Sequence, residues 1–84
     1  MIYRIRFTES ALKDLKKIPS KDLDLIERKL NEYKENPLNY CRKLSGKNIS
    51  TYRFRIENYR AIFDLDKEFI VIHRIGHRKD IYKK

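Results

Sequence analysis

From the N-terminus, apolar and basic positions alternate. Tyr3, Ile5 and Phe7 fall on one face and Arg4 and Arg6 on the other, which predicts a short strand. The period then lengthens. Thr8 stands where a hydroxyl accepts from a first-turn N–H, and Glu9 suits the positive end of a helix dipole. Ala11, Leu15 and Ile18 recur at helical spacing until Pro19 ends the helix. Ser20 is the cap candidate for a second helix, with Asp22 and Asp24 in its opening turn, Leu23, Ile26, Leu30 and Tyr33 as its stripe, and Pro37 as its stop. Two such helices joined by a few residues are expected to lie antiparallel and to turn both stripes toward one sheet.

Between Asn36 and Ser50 neither period is visible, and Asn, Pro, Ser and Gly collect, so a connecting loop carrying Lys43 and Lys47 is expected. Alternation returns at Tyr52–Ile56, with Tyr52, Phe54 and Ile56 inward and Arg53 and Arg55 outward. Glu57 and Asn58 supply a hairpin turn. Beyond it Tyr59, Ala61, Phe63 and Leu65 take the core face, and Arg60, Ile62 and Asp64 the opposite one. Asp66 and Lys67 turn the chain again. Phe69–Ile75 is apolar on both faces and reads as a central strand, whose phase assigns Val71, His73 and Ile75 to the helices and Ile72 and Arg74 to the open face. His73 is then a packed, hydrogen-bonded histidine. The expectation is one α+β domain over residues 1–84, ordered β-α-α-β-β-β, with a helical hairpin on one face of a mainly antiparallel twisted sheet and a basic open face opposite.

Charge changes what that open face means. The chain carries a net charge of +9 with 39% charged and 40% apolar residues, a surplus that attracts nucleic acid or an acidic protein, although a solvated basic surface gives the same composition. Arg53, Arg55, Arg60, Arg74 and Arg78 recur with strand periodicity, and Tyr82 follows four residues after the last of them. A row of fixed cations without a matching row of carboxylates suggests a polyanionic substrate. Cys41 is the only cysteine and His73 and His77 the only histidines, so neither an internal disulfide nor a metal or other cofactor site is expected. No apolar run approaches a signal peptide or a membrane span, and a cytoplasmic protein with no membrane partner is expected.

The opening Y-R-I-R-F, A-L-K-D-L-K-K, the Pro-terminated second helix, K-L-S-G, Y-R-F-R-I-E-N-Y-R-A-I-F and I-G-H-R-K-D-I-Y occur in an order that resembles the RelE/ParE superfamily of type II toxin–antitoxin toxins, from Tyr3 to Tyr82. The resemblance to the RelE branch implies a ribosome-dependent, metal-independent endoribonuclease. Such an enzyme cuts mRNA in the decoding site and inhibits translation. In that reaction the RNA 2′-hydroxyl attacks the adjacent phosphate and leaves a 2′,3′-cyclic phosphate and a free 5′-hydroxyl. Carried over by motif, the basic pair before the hairpin turn falls on Arg53 and Arg55, the arginine after it on Arg60, and the last arginine and the terminal tyrosine on Arg78 and Tyr82. Bacterial relatives often have lysine at the first two positions. Arginine keeps the charge but does not transfer protons, because guanidinium stays protonated.

Chemistry divides these residues by role. Arg60, assisted by Arg53 and Arg55, suits the charge that gathers on the phosphate oxygens during attack. Tyr82 is the candidate base, provided neighbouring cations favour its charged form. For the leaving oxygen, Arg78 matches the family position and His77 has the better matched pKa. Adjacent strand residues point to opposite faces, so His77 helps only if the chain leaves the sheet at Gly76. Arg74, Lys43 and Lys47 are candidate RNA contacts. The resemblance further implies a cognate acidic antitoxin in a hetero-oligomer, and the ribosome and mRNA as partners. Two other readings stay open: ParE-like inhibition of DNA gyrase through protein contacts, and a non-catalytic basic module that binds nucleic acid. With Tyr3, Tyr52 and Tyr59 assigned to the core, few aromatics remain to stack bases.

Overall fold

The computed structural model describes residues 2–43 and 51–81. Lys47, Gly46 and Tyr82 lie outside the described residues. Within them the order is β1 (Arg4–Phe7), α1 (Glu9–Leu15), α2 (Ser20–Tyr33), a 3-10 turn (Pro37–Asn39), β2 (Cys41–Lys43), β3 (Thr51–Ile56), β4 (Tyr59–Asp66) and β5 (Phe69–His77). The strands form one sheet in the order β1-β5-β4-β3-β2. β1 runs parallel to β5 and the other neighbours are antiparallel, so the small α+β domain has two helices packed on a five-stranded mixed sheet.

Sequence and structure agree on how α1 starts: the Thr8 hydroxyl accepts from Ala11 N–H at 3.2 Å and supports the first turn. Pro19 rather than Ser20 caps α2, and no side chain bonds to that end of the helix. The stripe Ile26, Leu30 and Tyr33 is buried as its period predicts and joins a core with Phe54, Ile56, Ala61, Phe63, Ile70, Ile72 and Ile75. Phe54 and Phe63 are fully buried and stack at 4.1 Å, with Tyr33 tilted against Phe54 at 5.0 Å. This aromatic layer fixes β3 and β4 to α2, which matters because the outer faces of the same two strands carry the arginines.

Two expectations are corrected. The stretch read wholly as a loop contains the 3-10 turn and β2, which pairs antiparallel with β3 from Cys41↔Phe54 to Lys43↔Tyr52. Three residues at a sheet edge, with no apolar alternation, leave almost no periodic signal. The second correction concerns β5. Ile62 pairs with Arg74 but Phe63 with Ile72, so His73 is an extra residue in a β-bulge. That residue shifts the phase: Ile70 and Ile72 are buried before the bulge and Ile75 after it, whereas Val71 and His73 are only partly buried. The second hairpin turn also falls one residue later, at Lys67–Glu68. Glu57 and Lys67, which lead the two turns, take φ of 54° and 57°.

α1 lies along β5 beyond the end of β1 and completes that edge with side chains. Thr8 donates its hydroxyl to the His73 carbonyl at 3.1 Å, and the Asp14 carboxylate accepts the Ile75 N–H at 3.0 Å. The backbone groups that a missing strand would have paired are thereby satisfied.

Candidate functional site: an arginine cavity on β2, β3 and β4

Hairpin register places like charges opposite each other twice. Arg42 pairs with Arg53 across β2 and β3, and Arg55 pairs with Arg60 across β3 and β4. Like charges directly opposite cost stability in a sheet unless other groups compensate, so these registers concentrate positive charge where the three strands meet. All four arginines line a cavity of about 530 Å³ together with Asn39, Tyr40 and Cys41, and among the described residues no carboxylate lines it. A second hollow of about 410 Å³ brings Arg78 to Arg55 and Arg60, beside Glu57 and Asn58. The Arg78 N–H donates to the Asn58 carbonyl at 2.7 Å and ties that segment to the β3–β4 turn.

Arg60 departs from its outward assignment. It is buried, and its Nη1 donates to the Glu57 and Tyr59 carbonyls at 3.0 Å each, so the guanidinium is folded against the hairpin turn while still lining both hollows. Alternation places a residue on a face but does not reveal that backbone carbonyls wait there to hold it. The result is a cation in a fixed position, in contrast to the exposed Arg55. Burial pushes the Cys41 thiol above its ordinary value despite an opposing backbone hydrogen bond, so at neutral pH it is a protonated wall of the cavity rather than a nucleophile.

The remaining candidates separate from this cluster. Arg74 makes a two-point contact with Asp14, from Nε at 2.8 Å and Nη2 at 3.2 Å, at the β5 edge and away from the other arginines. Burial raises the Asp14 carboxyl, but the Arg74 hydrogen bond, the Ile75 N–H and the charges of Arg74 and Lys17 outweigh it and hold the group below its ordinary value of 3.8. β5 continues through Gly76 to His77, so the geometric condition for His77 to reach the arginines is not met. Its ring lies edge-on to Tyr59 at 5.8 Å, its Nδ1 accepts the Lys79 N–H at 3.1 Å, and it shares a hollow with Asp14, Lys17 and Arg74. His73 does find a hydrogen bond, Nε2 to Asp64 Oδ2 at 2.7 Å, though both side chains are partly exposed. Lys43 ends β2 and is exposed. Tyr40, which sequence reasoning left within the loop, is the functional candidate that was missed. The structure assigns it to the wall of the cavity.

Tyr59 is fixed from the helix side. Its hydroxyl donates to Asp22 Oδ2 at 2.7 Å, and burial, that hydrogen bond and the Asp22 charge push its pKa up to about 12. Among the described residues no group of three or more His, Cys, Asp or Glu side chains could hold a metal ion, and no helix is long and apolar enough to cross a membrane.

The sequence model of ParE toxins of the type II toxin–antitoxin system parDE matches residues 5–82. The chain belongs to the RelE/ParE superfamily of type II toxins. Within that superfamily it is similar to the toxin RelG of Mycobacterium tuberculosis, 33% identical over 87 residues with both chains fully covered. It is also similar to the toxin RelE3 of Methanocaldococcus jannaschii, 33% identical with 94% of each chain covered. Among solved structures it superposes on a chain of the toxin–antitoxin complex RelBE2 from M. tuberculosis with a TM-score of 0.82. The two are 30% identical, and the match covers 93% of this chain and 100% of that one. A chain of the Escherichia coli DinJ–YafQ complex, 14% identical with a TM-score of 0.78 over 99% of this chain and 100% of that one, shares the fold. This RelE-family toxin therefore carries its like-charged cross-strand pairs on a scaffold common to the superfamily.

Proposed function

We propose that this toxin is a ribosome-dependent endoribonuclease that cuts mRNA in the decoding site by internal attack of the 2′-hydroxyl, without a metal, and so inhibits translation. The observation that carries the reading is the convergence of Arg42, Arg53, Arg55 and Arg60, paired in register across β2, β3 and β4, on one cavity. A bound phosphodiester brings negative charge to these cations, and that charge rises during attack, so the site favours the transition state over the ground state.

In this reading the 2′-oxygen loses its proton to Tyr82 and bonds to phosphorus. The bond from phosphorus to the 5′-oxygen breaks, and that oxygen takes up a proton as it leaves. Arg53 and Arg55 contact the non-bridging oxygens, while Arg60, held by the turn carbonyls, keeps a fixed cation beneath them. Arg78, drawn to the same place by the Asn58 carbonyl, hydrogen-bonds the leaving oxygen. With His77 on the opposite face, a guanidinium that rarely gives up its proton stabilises the leaving group while solvent supplies the proton. The ribosome supplies the in-line alignment that one small arginine surface lacks.

The +9 surface suits an acidic antitoxin, encoded nearby, that orders on binding and forms a hetero-oligomer with the toxin in the cytoplasm. The relatives RelBE2 and DinJ–YafQ are toxin–antitoxin complexes, which supports such a partner. One observation favours a second reading: the matching sequence model is that of the ParE toxins, and a ParE-like protein would inhibit gyrase by protein contacts. The test is to present purified toxin with naked RNA, with mRNA on ribosomes whose decoding site is vacant, and with gyrase. Cleavage confined to ribosomes, leaving a 2′,3′-cyclic phosphate and slowed roughly 100-fold by Tyr82→Phe, supports the nuclease. Loss of supercoiling activity without new RNA ends supports the gyrase inhibitor.

A further inference from the structure

Among the described residues one aromatic, Tyr40, lines the cavity, and its ring is backed by the core in a way that an isolated exposed side chain is not. Tyr40 is 43% exposed. One face of its ring stacks on Tyr33 at 4.5 Å with 19° between the planes, and Tyr33 is in turn buried against Phe54 and donates its hydroxyl to the Arg55 carbonyl at 3.4 Å. Its backbone is fixed on both sides: its N–H donates to the Pro37 carbonyl at 3.1 Å, and β2 begins at the next residue. An isolated exposed side chain such as Leu38 is ordinary for a protein surface. A ring backed by the core, on a residue that lines a cavity with Arg42, Arg53 and Arg55, is a different feature.

We infer that Tyr40 forms the floor of a nucleobase subsite, taking one unpaired base of single-stranded RNA whose neighbouring phosphate lies on the arginines. This rests on reading the cavity as the RNA site and adds a base-recognising element to it. Arginines hold a phosphate in any sequence but leave the attached base free to rotate. A rigid aromatic face one nucleotide away stacks the base and restricts the sugar between base and phosphate, one part of the in-line alignment that the ribosome completes. Asn39, in the same wall, brings an amide with both donor and acceptor groups toward the edge of a base stacked there. The cavity volume of about 530 Å³ falls within the range of small-ligand sites.

The test uses the full chain and single-stranded trinucleotides with 2′-O-methyl sugars, which block attack. 2-Aminopurine is placed at each position in turn, and an abasic residue is placed at each position in a parallel set. At one position the wild-type protein should quench 2-aminopurine fluorescence, and Tyr40→Phe should bind within twofold of it. Tyr40→Leu should abolish the quenching and weaken binding roughly 10-fold, the scale of one base–aromatic stack. That loss should vanish for the strand that is abasic at the same position. Loss of fold would weaken the abasic strand equally, so an equal loss on both strands overturns the subsite, as does an absence of quenching by the wild type at millimolar strand. Weaker binding in Arg55→Ala with no effect of Tyr40→Leu leaves the arginine cavity standing and removes the base subsite. No effect of Arg55→Ala removes the cavity reading itself. If Tyr40→Leu weakens only capture of the antitoxin, the ring is a protein contact and the inference is wrong.

Discussion

Arg55 and Arg74 look alike in the sequence, outward-facing arginines on the two strands that flank β4, yet the structure sets them in different surroundings. Arg55 is opposite Arg60 in register across the hairpin and lines a cavity with it, Arg42 and Arg53. Arg74, displaced by the bulge at His73, locks onto Asp14, which also accepts a backbone N–H that no strand could pair. The β5 edge is locally balanced and serves the fold. The cavity gathers cations from three strands, and its proposed use is to hold a ligand. Charge sign and spacing alone do not separate the two cases; the two-point contact of Arg74 with Asp14 does.

The largest expected effect lies beneath the cavity. Phe54 is fully buried and stacked on Phe63, so Phe54→Asp, which strands a carboxylate in the core, should abolish the cooperative melt and the cavity with it, exceeding the roughly 5 kcal/mol that holds a marginal domain together. Next is the balanced edge. Asp14→Ala leaves the Ile75 N–H and the Arg74 guanidinium without their acceptor and should cost about 3 kcal/mol in denaturant unfolding, while the mRNA cleavage proposed for the wild type persists under conditions where the variant is folded. Arg60→Ala should mix the two behaviours. It loses two carbonyl contacts, about 2 kcal/mol of stability, and roughly 100-fold in single-turnover cleavage, so its melts and rates must be read together.

A pH titration sharpens the contrast at the edge. Asp14 has a folded-state pKa below 3.8, so between that lower value and 3.8 the unfolded chain binds more protons than the folded one. The stability it contributes is present above the ordinary value and is lost as pH falls through the folded one. Asp14→Asn should flatten that acid limb of the stability curve. On the alkaline side the sign reverses: Tyr59 keeps its proton in the fold up to about 12 against an ordinary 10.0, and stability falls as pH rises between them. Tyr59→Phe should remove that late-ionising phenol from the absorbance titration. The smallest change is Gly76→Ala, whose Cβ would meet Ile81 at an ordinary 4.0 Å and which should stabilise the strand by about 0.5 kcal/mol.

Much of the scaffold was legible because its periods are clean. The helix stripes and the inward set Tyr52, Phe54 and Ile56 needed nothing beyond residue spacing, and the hairpin then had to gather Arg53 and Arg55 on the other side. β5 was not legible past its centre. Ile70, Val71 and Ile72 are all apolar, so either phase fits, and the bulge that decides between them is a matter of backbone pairing with β4. Arg60 was placed on the correct strand, but its burial depends on the Glu57 and Tyr59 carbonyls, which side-chain patterns do not display. Tyr40 was hidden for a third reason: its value lies in resting on Tyr33, a contact between a helix end and a turn with no sequence period of its own.

The contrast between the two arginines also gives the most direct test of the proposed site. Single-turnover cleavage of mRNA on ribosomes with a vacant decoding site should be measured for wild type, Arg55→Ala and Arg74→Ala, each at a temperature where thermal melts show it folded. Arg55 is exposed, so its loss should leave the melt near wild type while slowing cleavage by roughly 100-fold, the scale of losing one anion-stabilising donor. Arg74→Ala should lower the melting temperature and cleave within about twofold of wild type, in line with a charge that serves only the fold. The opposite pattern, with Arg55→Ala cleaving normally and Arg74→Ala inactive though folded, would contradict the assignment of the arginine cavity as the reactive site.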